Sequence, residues 1–573
     1  MKEALHFKQN AIIFSLKALL LQLRRGYQNT FINKVSRHTQ SNLLLDKSII
    51  SESSTELWTN ELASELYLEA GKIHNLRIAI RSLNGIEIPA HSIFSFWVQI
   101  GHPTRWKGYV LGRELREGCI IPSIGGGLCQ LSNALYNAAL DAGLEIIERH
   151  AHTQIVPGSL AETGRDATIF WNYVDLRFKV KERLRIEAFM SGNYLTIQFK
   201  GEQVKLVTPA SKLSQSTFSV TPINSCTTCD VRTCFRHIEP SRKKLGFGAT
   251  AYLVDEYWPE FNQYIQSQIN PNDVLGLPVN GKKLKKSNYA WDITGFRQVK
   301  QSVLTTFMRA IESRRLEMQG AVRQMALLKY DEKLALSFTA LLSSDIVHVT
   351  VMQNLLPFLW KEGFLGGRSF DVLMTRLPLD CLQERLDLAG KMHPESNTLS
   401  DFRASRSLIK TENEALRQAR KIITPHTGIA NLYQKKSVLI DWHIPKDKLN
   451  PLKGNKILFP APTVGRKGAY ELRSAALALN LELMLLGEQL EEDDFWQGIS
   501  VKPANKNWLD EIGLVVLPAF VEHQPRKILT AIAHGIPAIA SSACGLGNVK
   551  GVVNIPIGNW ESLSNEIQKA SAI

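Results

Sequence analysis

The sequence predicts an α/β and α+β multidomain protein, a mixed α+β domain followed by two Rossmann-like lobes. Three observations carry this. The chain has 573 residues, and a single core stops growing at about 250–300 residues, so two or three domains are expected. In the C-terminal half, short apolar runs alternate with helical stretches in two successive sets, the pattern of parallel-sheet lobes. In the N-terminal half, a run of three glycines leads into an amphipathic helix flanked by strand-like segments.

Hydrophobic residues make up 44% of the chain and charged residues 21%. Both are ordinary for folded protein and exclude a disordered chain. The formal charge of +14 suits phosphate-bearing partners, either nucleotide diphosphates or anionic lipid head groups. No base-stacking signature accompanies the charge, so nucleic acid is not an expected partner. The run Lys282, Lys283, Lys285, Lys286 reads as a solvated basic loop, with a membrane-surface or phosphate patch as the alternative.

The apolar stretch Ala11 to Leu23 is interrupted by Lys17 and followed by Arg24 and Arg25. A spanning helix needs about 20 apolar residues. The stretch therefore reads as an amphipathic helix that packs on its own domain, or else lies on a membrane surface. The expected location is cytoplasmic, with peripheral contact at the inner face of the membrane left open.

Residues 73 to 83 are expected to be helical, Asn84-Gly85 a turn, and Phe94 to Trp97 a strand. Then three glycines run into Leu128-Cys129-Gln130, and Leu131, Leu135, Ala138 and Ala139 share one helical face. Glycines at a helix start permit positive φ and close approach of another group. The positive end of a helix favours an anion, which is the chemistry of a nucleophilic thiolate. His150 and His152 follow, two apart as on one face of a strand, and Asp166 and Asp175 come later. Cysteine, histidine and carboxylate in that order suit a thiol triad. His152 is the preferred base ahead of His150, and Asp166 the preferred orienting group. The alternative is a glycine turn and a cysteine that serve packing alone.

The segments FSFWVQIG, IGGGLCQLSNALYNAALDAGLEIIERHAHT and GRDATIFWNYVDLRF together resemble the VanW family, over roughly residues 60–205. The resemblance implies cell-envelope biology and no particular reaction.

Residues 206–245 form a connector carrying Cys226-x2-Cys229-x4-Cys234-x2-His237. A CxxC turn places two thiolates on one ion, and Cys234 and His237 complete a tetrahedral set for Zn. An iron–sulfur cluster, with Cys119 as a distant fourth ligand, is the second reading. A redox pair or free thiols are the others.

Strands are expected at 345–352, 370–377, 436–442, 456–460, 481–487, 513–519 and 536–542. A long helical stretch, SLIKTENEALRQARKIIT, is expected between the second and third. The region before residue 340 reads only as helical. The segments KILFPAPTVGRKGAYEL and PAFVEHQPRKILTAIAHGIPAIASSACGL resemble the donor lobe of GT-B glycosyltransferases of the retaining type. That resemblance implies a nucleotide-diphosphate sugar as donor, a glycan or lipid acceptor, and no required metal. It places Lys467 on the leaving diphosphate and Glu522 on the donor sugar. The Cys544-Gly545-Leu546 turn would offer backbone N–H groups. Two departures stand out. Thr530 occupies the position of a second glutamate, and Pro462 that of an arginine for which Arg466 or Arg526 would have to substitute. A solvated surface pair is the alternative for Lys467 and Glu522.

The expected organisation is a helical extension at 1–59, a VanW-like domain at 60–205, the connector at 206–245, and GT-B-like lobes at 246–450 and 451–573. The leading functional reading is sugar transfer to a cell-envelope acceptor. A non-catalytic nucleotide-sugar-binding protein and a thiol enzyme on wall material using Cys129 are the alternatives.

Overall fold

In the Leu184–Ser191 and Tyr194–Gly201 strands, buried positions alternate with more exposed ones along most of their length, so each lays one face on a core. They pair antiparallel as a hairpin across Gly192. Ser48–Glu56 adds to one side and Ile86–Ile88 to the other, giving a four-stranded sheet. This computed structural model describes residues 8–32, 35–59, 65–116, 119–152, 160–202, 224–225, 248–316, 320–446, 454–505 and 507–571. Contacts divide the chain into two units. The first comprises Met1–Ala249, Leu342–Val347 and Gly363–Ser369, and the second is the remainder.

In the first unit two further small sheets accompany the four-stranded one. One has the strand order Ile93–Ser95, Arg177–Lys179, Glu145–Glu148, and the other has Asn224–Ser225, Cys119–Ile124, Leu111–Arg116. Phe94 stacks on Phe178 at 4.7 Å between ring centroids, and Phe178 meets Phe199 at 5.8 Å, which ties two of the sheets into one core. The helix Leu128–Asp141 lays Leu131, Leu135, Ala138 and Ala139 into the same core.

Several local expectations change. The stretch read as a helical extension, 1–59, contributes the strand Ser48–Glu56, because its pairing with Tyr194–Gly201 outweighs its weak apolar pattern. The helix expected over 73–83 runs over Leu66–Arg81. Only half of FSFW is strand. Ser95 caps a new helix, Phe96–Ile100, by accepting a hydrogen bond from Val98 N. His150 and His152 follow the strand Glu145–Glu148 rather than lying on it. The Lys8–Tyr27 helix docks through polar groups instead of its leucines. Gln22 donates to the Trp171 carbonyl at 2.9 Å, Arg25 forks onto Glu148, and Leu19, Leu20 and Leu23 stay exposed. Among the described residues no helix is long and apolar enough to cross a membrane.

The second unit holds two sheets. The first orders its strands Gln298–Gln301, Val274–Leu277, Ala249–Leu253, Ile346–Met352, Ser369–Leu373, Lys421–Thr424, Ser437–Leu439. The other orders them Ser500–Pro503, Glu482–Leu485, Lys456–Phe459, Ile512–Leu517, Ala538–Ser541, Val552–Ile555, all paired in parallel. Numbered within each lobe, both begin 3-2-1-4-5-6, the order of a Rossmann fold. In each lobe the order reverses between the first and fourth strands, opening a crevice at their carboxyl ends. The stretch SLIKTENEALRQARKIIT is not one helix. The helix Arg406–Gln418 stops short of it, and Lys421–Thr424 is a buried strand whose β-branched isoleucines suit the sheet interior.

Candidate functional site

Tight backbone packing positions the first site. Asn75, on the Leu66–Arg81 helix, donates to the carbonyls of Val110 and Gly126 at 3.0 Å and accepts from Val110 N at 2.9 Å. A Cβ on Gly126 would lie 2.4 Å from the Gly112 carbonyl oxygen. Gly127 has φ +99° and would press a Cβ onto Lys72. The glycines therefore serve packing and the turn into the helix together. Gly126→Ala is expected to cost about 1–3 kcal/mol or more, because backbone on the facing strand has to move. A lowered urea midpoint checks it.

The helix Leu128–Asp141 then presents Cys129, Ser132 and Asn133 at i, i+3 and i+4, on one face. Cys129 is half-buried. Ser132 Oγ donates to the Ala167 carbonyl at 2.6 Å, and Asn133 Oδ1 accepts from Ala167 N at 2.8 Å. These two bonds fix the Asp166 segment to the cysteine's own helix. Arg149 holds it from the other side, donating to the Asp166 carbonyl at 2.7 Å and to Oδ1 at 2.8 Å. Asp166 Oδ2 accepts from His152 N at 2.7 Å and from His152 Nδ1 at 2.6 Å. Cys129 and His152 line the same cleft and interact electrostatically. With Nδ1 engaged by Asp166, Nε2 is the ring nitrogen left for the thiol. The structure thus brings Cys129, His152 and Asp166 together. His150 lies apart, half-exposed, 3.3 Å from Glu148. Asp175 is buried elsewhere, accepting from Ser95 Oγ at 2.6 Å and Arg177 Nε at 2.8 Å.

Burial alone would lower the imidazole's pKa. The hydrogen bond to Asp166 and then the contact with Cys129 outweigh it and lift His152 to about 9. Burial likewise opposes ionisation of Asp166, but His152 and Arg149 hold its carboxyl below the usual range. The sign for stability follows from the raised value. The contribution of His152 is complete below its ordinary 6.5 and is lost as pH rises through about 9. At its largest this is worth about 3 kcal/mol. A pH series of urea midpoints is expected to decline across that window, and His152→Gln is expected to flatten it.

The triad opens on a cleft of about 940 Å3. Trp97, His102, Phe170, Trp171 and Tyr194 supply aromatic walls, and Lys72 and Arg113 supply cationic groups. His102 stacks on Trp171 at 4.7 Å, and Trp97 meets Trp171 edge-on at 5.3 Å.

In the second unit, Lys467 follows the strand Lys456–Phe459 and Glu522 follows Ile512–Leu517. These are the two strands between which the order reverses, so both residues stand at the crevice where α/β sheets bind ligands. Lys467 Nζ meets Glu522 Oε2 at 2.8 Å, with the two side chains 18% and 11% exposed. That is a pair largely withdrawn from solvent and not a solvated surface pair. Glu522 Oε1 accepts from His523 N at 2.9 Å and Gln524 N at 2.8 Å. Burial opposes its charge, but Lys467 and these N–H groups hold the carboxyl low. Gly468 at φ +78° would place a Cβ 2.1 Å from the Pro518 carbonyl, so the Lys-Gly turn needs its glycine.

The other expected donor residues have definite partners. Arg466 lies 4.4 Å over the Phe402 ring. Arg526 forks onto Glu260 at 2.5 and 2.8 Å and lies over both Trp258 and Trp442. Thr530 Oγ1 donates back to the Arg526 carbonyl at 2.9 Å. Pro462 lies against Gly487. Cys544 and Leu546 are fully buried, burial drives the Cys544 thiol pKa up, and Gly545 packs against the His426 ring.

Sequence reasoning missed a cluster in the first lobe. Asp255 follows Ala249–Leu253 and Asn354 follows Ile346–Met352, at that lobe's own reversal point. Asn354 Nδ2 donates to Asp255 at 2.7 Å, and Arg309 forks onto the same carboxylate. Burial, then the Asp255 charge, push Asp331 beside them up to about 7. The proposed metal ligands Cys226, Cys229, Cys234 and His237 lie outside the described residues. Among the described residues, no group of three or more His, Cys, Asp or Glu is placed to hold a metal ion.

Residues 71–200 match the family described as VanW like protein, so the first unit contains a VanW-like domain. Over 106 residues the chain is 37% identical to the uncharacterized protein YoaR of Bacillus subtilis (strain 168), covering 18% of this chain and 34% of that protein. Over 134 residues the chain is 31% identical to the vancomycin B-type resistance protein VanW of Enterococcus faecalis (strain ATCC 700802 / V583), covering 23% and 49%. It therefore spans half or less of the length of these curated relatives. The second unit consists of two Rossmann-like lobes, on its strand orders. Similar solved structures include the sucrose-phosphate synthase of Thermosynechococcus elongatus, at 14% identity and TM-score 0.35, covering 57% of this chain and 90% of that one. LpCGTa in complex with UDP is 13% identical at TM-score 0.31, covering 57% and 91%.

Proposed function

We propose that the first unit is a thiol enzyme that cleaves or transfers an acyl group at an amide or ester of cell-wall material. The observation that carries this is Cys129 and His152 lining one cleft, with Asp166 hydrogen-bonded to His152 Nδ1. The Cys129 thiolate adds to the substrate carbonyl, and the amine or alcohol leaves with the proton from His152 Nε2. A thioester remains on Cys129. Water or an amine acceptor, deprotonated by His152, then takes the acyl group and restores the thiol pair. Asp166 keeps the imidazole in the right tautomer throughout. The first turn of the Leu128–Asp141 helix carries N–H groups without intrahelical partners, and its N-cap, Gly127, brings no side chain to satisfy them. They are the groups to hold the oxyanion. The test is an activated ester with intact-mass detection. A hydroxylamine-labile adduct on Cys129 is expected, and an enzyme that never acylates there sinks the reading.

A second reading is favoured by the Lys467–Glu522 pair at the donor lobe's crevice. It makes the second unit a glycosyltransferase that uses a nucleotide-diphosphate sugar, of the retaining type, on a glycan or lipid acceptor of the cell envelope. Lys467 would neutralise the departing diphosphate and Glu522 would meet the sugar hydroxyls. Arg466 or Arg526 would take the place of the arginine missing at Pro462, and Thr530 would face the ribose. A non-catalytic nucleotide-sugar sensor has the same pair and is separated from this reading by a transfer assay.

A further inference from the structure

The helix Val303–Arg315 of the first lobe is built with two unlike faces. Its inner face buries Thr306 and Arg309. Its outer face carries Val303, Leu304, Phe307, Met308 and Ile311, all exposed, with Leu304 at 74% and Phe307 at 61%. The spacing i, i+1, i+4, i+5, i+8 makes one continuous apolar stripe. The neighbouring helix Gly320–Phe338 also exposes Val322 and Met325. Arg323 Nε donating to Ser313 Oγ at 3.1 Å, and Tyr330 to Glu312 at 2.5 Å, join the two helices. Single exposed apolar residues are normal on a protein surface, but a stripe of this extent marks a contact.

The basic run lies beside the same helix. Asn280 N donates to Gln301 Oε1 at 2.8 Å, and Ser302 N donates to the Pro278 carbonyl at 2.9 Å, so the lysine segment and the helix leave the sheet side by side. Arg309 donates to Tyr289 Oη at 3.1 Å and closes the far end of the segment onto the helix. Lys283, Lys285 and Lys286 are exposed with Leu284 among them, and Arg314 and Arg315 are exposed at the helix C-terminus. The acidic residue on this helix, Glu312, is engaged by Tyr330.

We propose that this face docks on an anionic lipid membrane, with the apolar stripe inserted at the head-group boundary and the lysines and arginines on the lipid charges. Charge complementarity selects this occupant. An apolar face rimmed by cations is what an anionic surface attracts, whereas a second copy would bring the same cations against its own. The chain's formal charge of +14 acts in the same direction. The lysine segment and the helix both begin at the carboxyl ends of Val274–Leu277 and Gln298–Gln301, the end of the sheet that also carries Asp255 and Asn354. Docking would therefore bring the first lobe's crevice to the lipid surface. That consequence, a lipid-borne acceptor, rests on the glycosyl-transfer reading, but the docking itself does not.

The test is flotation of the full-length protein with vesicles of phosphatidylcholine alone or with about one-third phosphatidylglycerol. Binding to the anionic vesicles, weakened by salt, is expected. Leu304→Glu with Phe307→Glu is expected to reduce the bound fraction about tenfold or more. Lys283→Glu, Lys285→Glu and Lys286→Glu together are expected to reduce it with the salt dependence lost. Unchanged melting of the variants shows that they fold, since the substituted side chains are exposed. Leu20→Glu, on the Lys8–Tyr27 helix, is the control and is expected to retain binding. Absence of flotation, wild-type binding by the Leu304/Phe307 variant, or loss of binding only in Leu20→Glu would overturn the proposal. So would a dimer abolished by Leu304→Glu and Phe307→Glu in a protein that does not float. A thermal-shift screen with nucleotide sugars reads the glycosyl-transfer proposal separately.

Discussion

Cys129→Ala is expected to abolish acyl-enzyme formation outright, and His152→Gln to slow it by about 10^2–10^4-fold. The two effects differ in kind. Alanine removes the atom that forms the new bond. Glutamine leaves the thiol in place but takes away the proton carrier, so a slow adduct remains detectable. Asp166→Asn should fall in the same range as the histidine variant, because an amide side chain facing Nδ1 frees the imidazole to adopt the wrong tautomer. Asp166 is also fastened by Arg149 and the helix bonds around Ala167. Asparagine at that position therefore keeps its surroundings, which separates a catalytic loss from unfolding. Intact-mass time courses and iodoacetamide alkylation are the measurements. An adduct that persists in Cys129→Ala, or alkylation of Cys129 at the wild-type rate in His152→Gln, would remove the triad from the chemistry.

Why this triad was legible, and much around it was not, follows from how far apart the interacting residues lie. Cys129 announces itself locally, as glycines running into an amphipathic helix. His152 and Asp166 lie 14 residues apart, close enough in the chain to be read together. Ser132, Asn133 and Arg149, which hold Asp166 in place, look like ordinary polar surface until the fold brings Ala167 to them. The first lobe was illegible before residue 340 for a related reason. Val274–Leu277 is a four-residue buried strand with no alternation, and Gly276 in it exists to admit Phe338. Gln298–Gln301 is a polar edge strand with almost no apolar signal. With those strands unread, Asp255 had no strand end to belong to. The clearest later strand, Ile512–Leu517, was plain because its run of Val, Ile and Leu ends at Pro518. On the helix Val303–Arg315 the sequence shows helical periodicity, but whether a stripe faces a core or the solvent is decided by what packs on the other side.

Lys467 and Glu522 were recognisable singly, yet their contact was not, since 55 residues separate them. That contact decides how the glycosyl-transfer reading has to be tested. Removing one partner of a buried pair strands the other charge and costs about 3–5 kcal/mol. Lys467→Ala alone would therefore lose stability and donor binding together, whatever its role. The double variant Lys467→Met with Glu522→Gln removes both charges at nearly constant volume and is expected to keep the fold. In the wild type a matching nucleotide-diphosphate sugar should stabilise the protein by about 2.7 kcal/mol at a hundredfold excess over its dissociation constant. The double variant should lose that shift, and transfer should fall by about 10^2–10^3-fold or more, the usual cost of removing a charge that meets a leaving group. The pair also implies competition. Without donor, Lys467 is already satisfied by Glu522, so a diphosphate has to draw the ammonium away, and binding should weaken as salt rises. Transfer undiminished in the double variant would show that the pair is purely structural. A donor that binds but is never transferred would make Thr530 and Pro462 the marks of a sensor. A wild-type protein that no nucleotide sugar stabilises would leave the cleft at Cys129 as the chain's working centre.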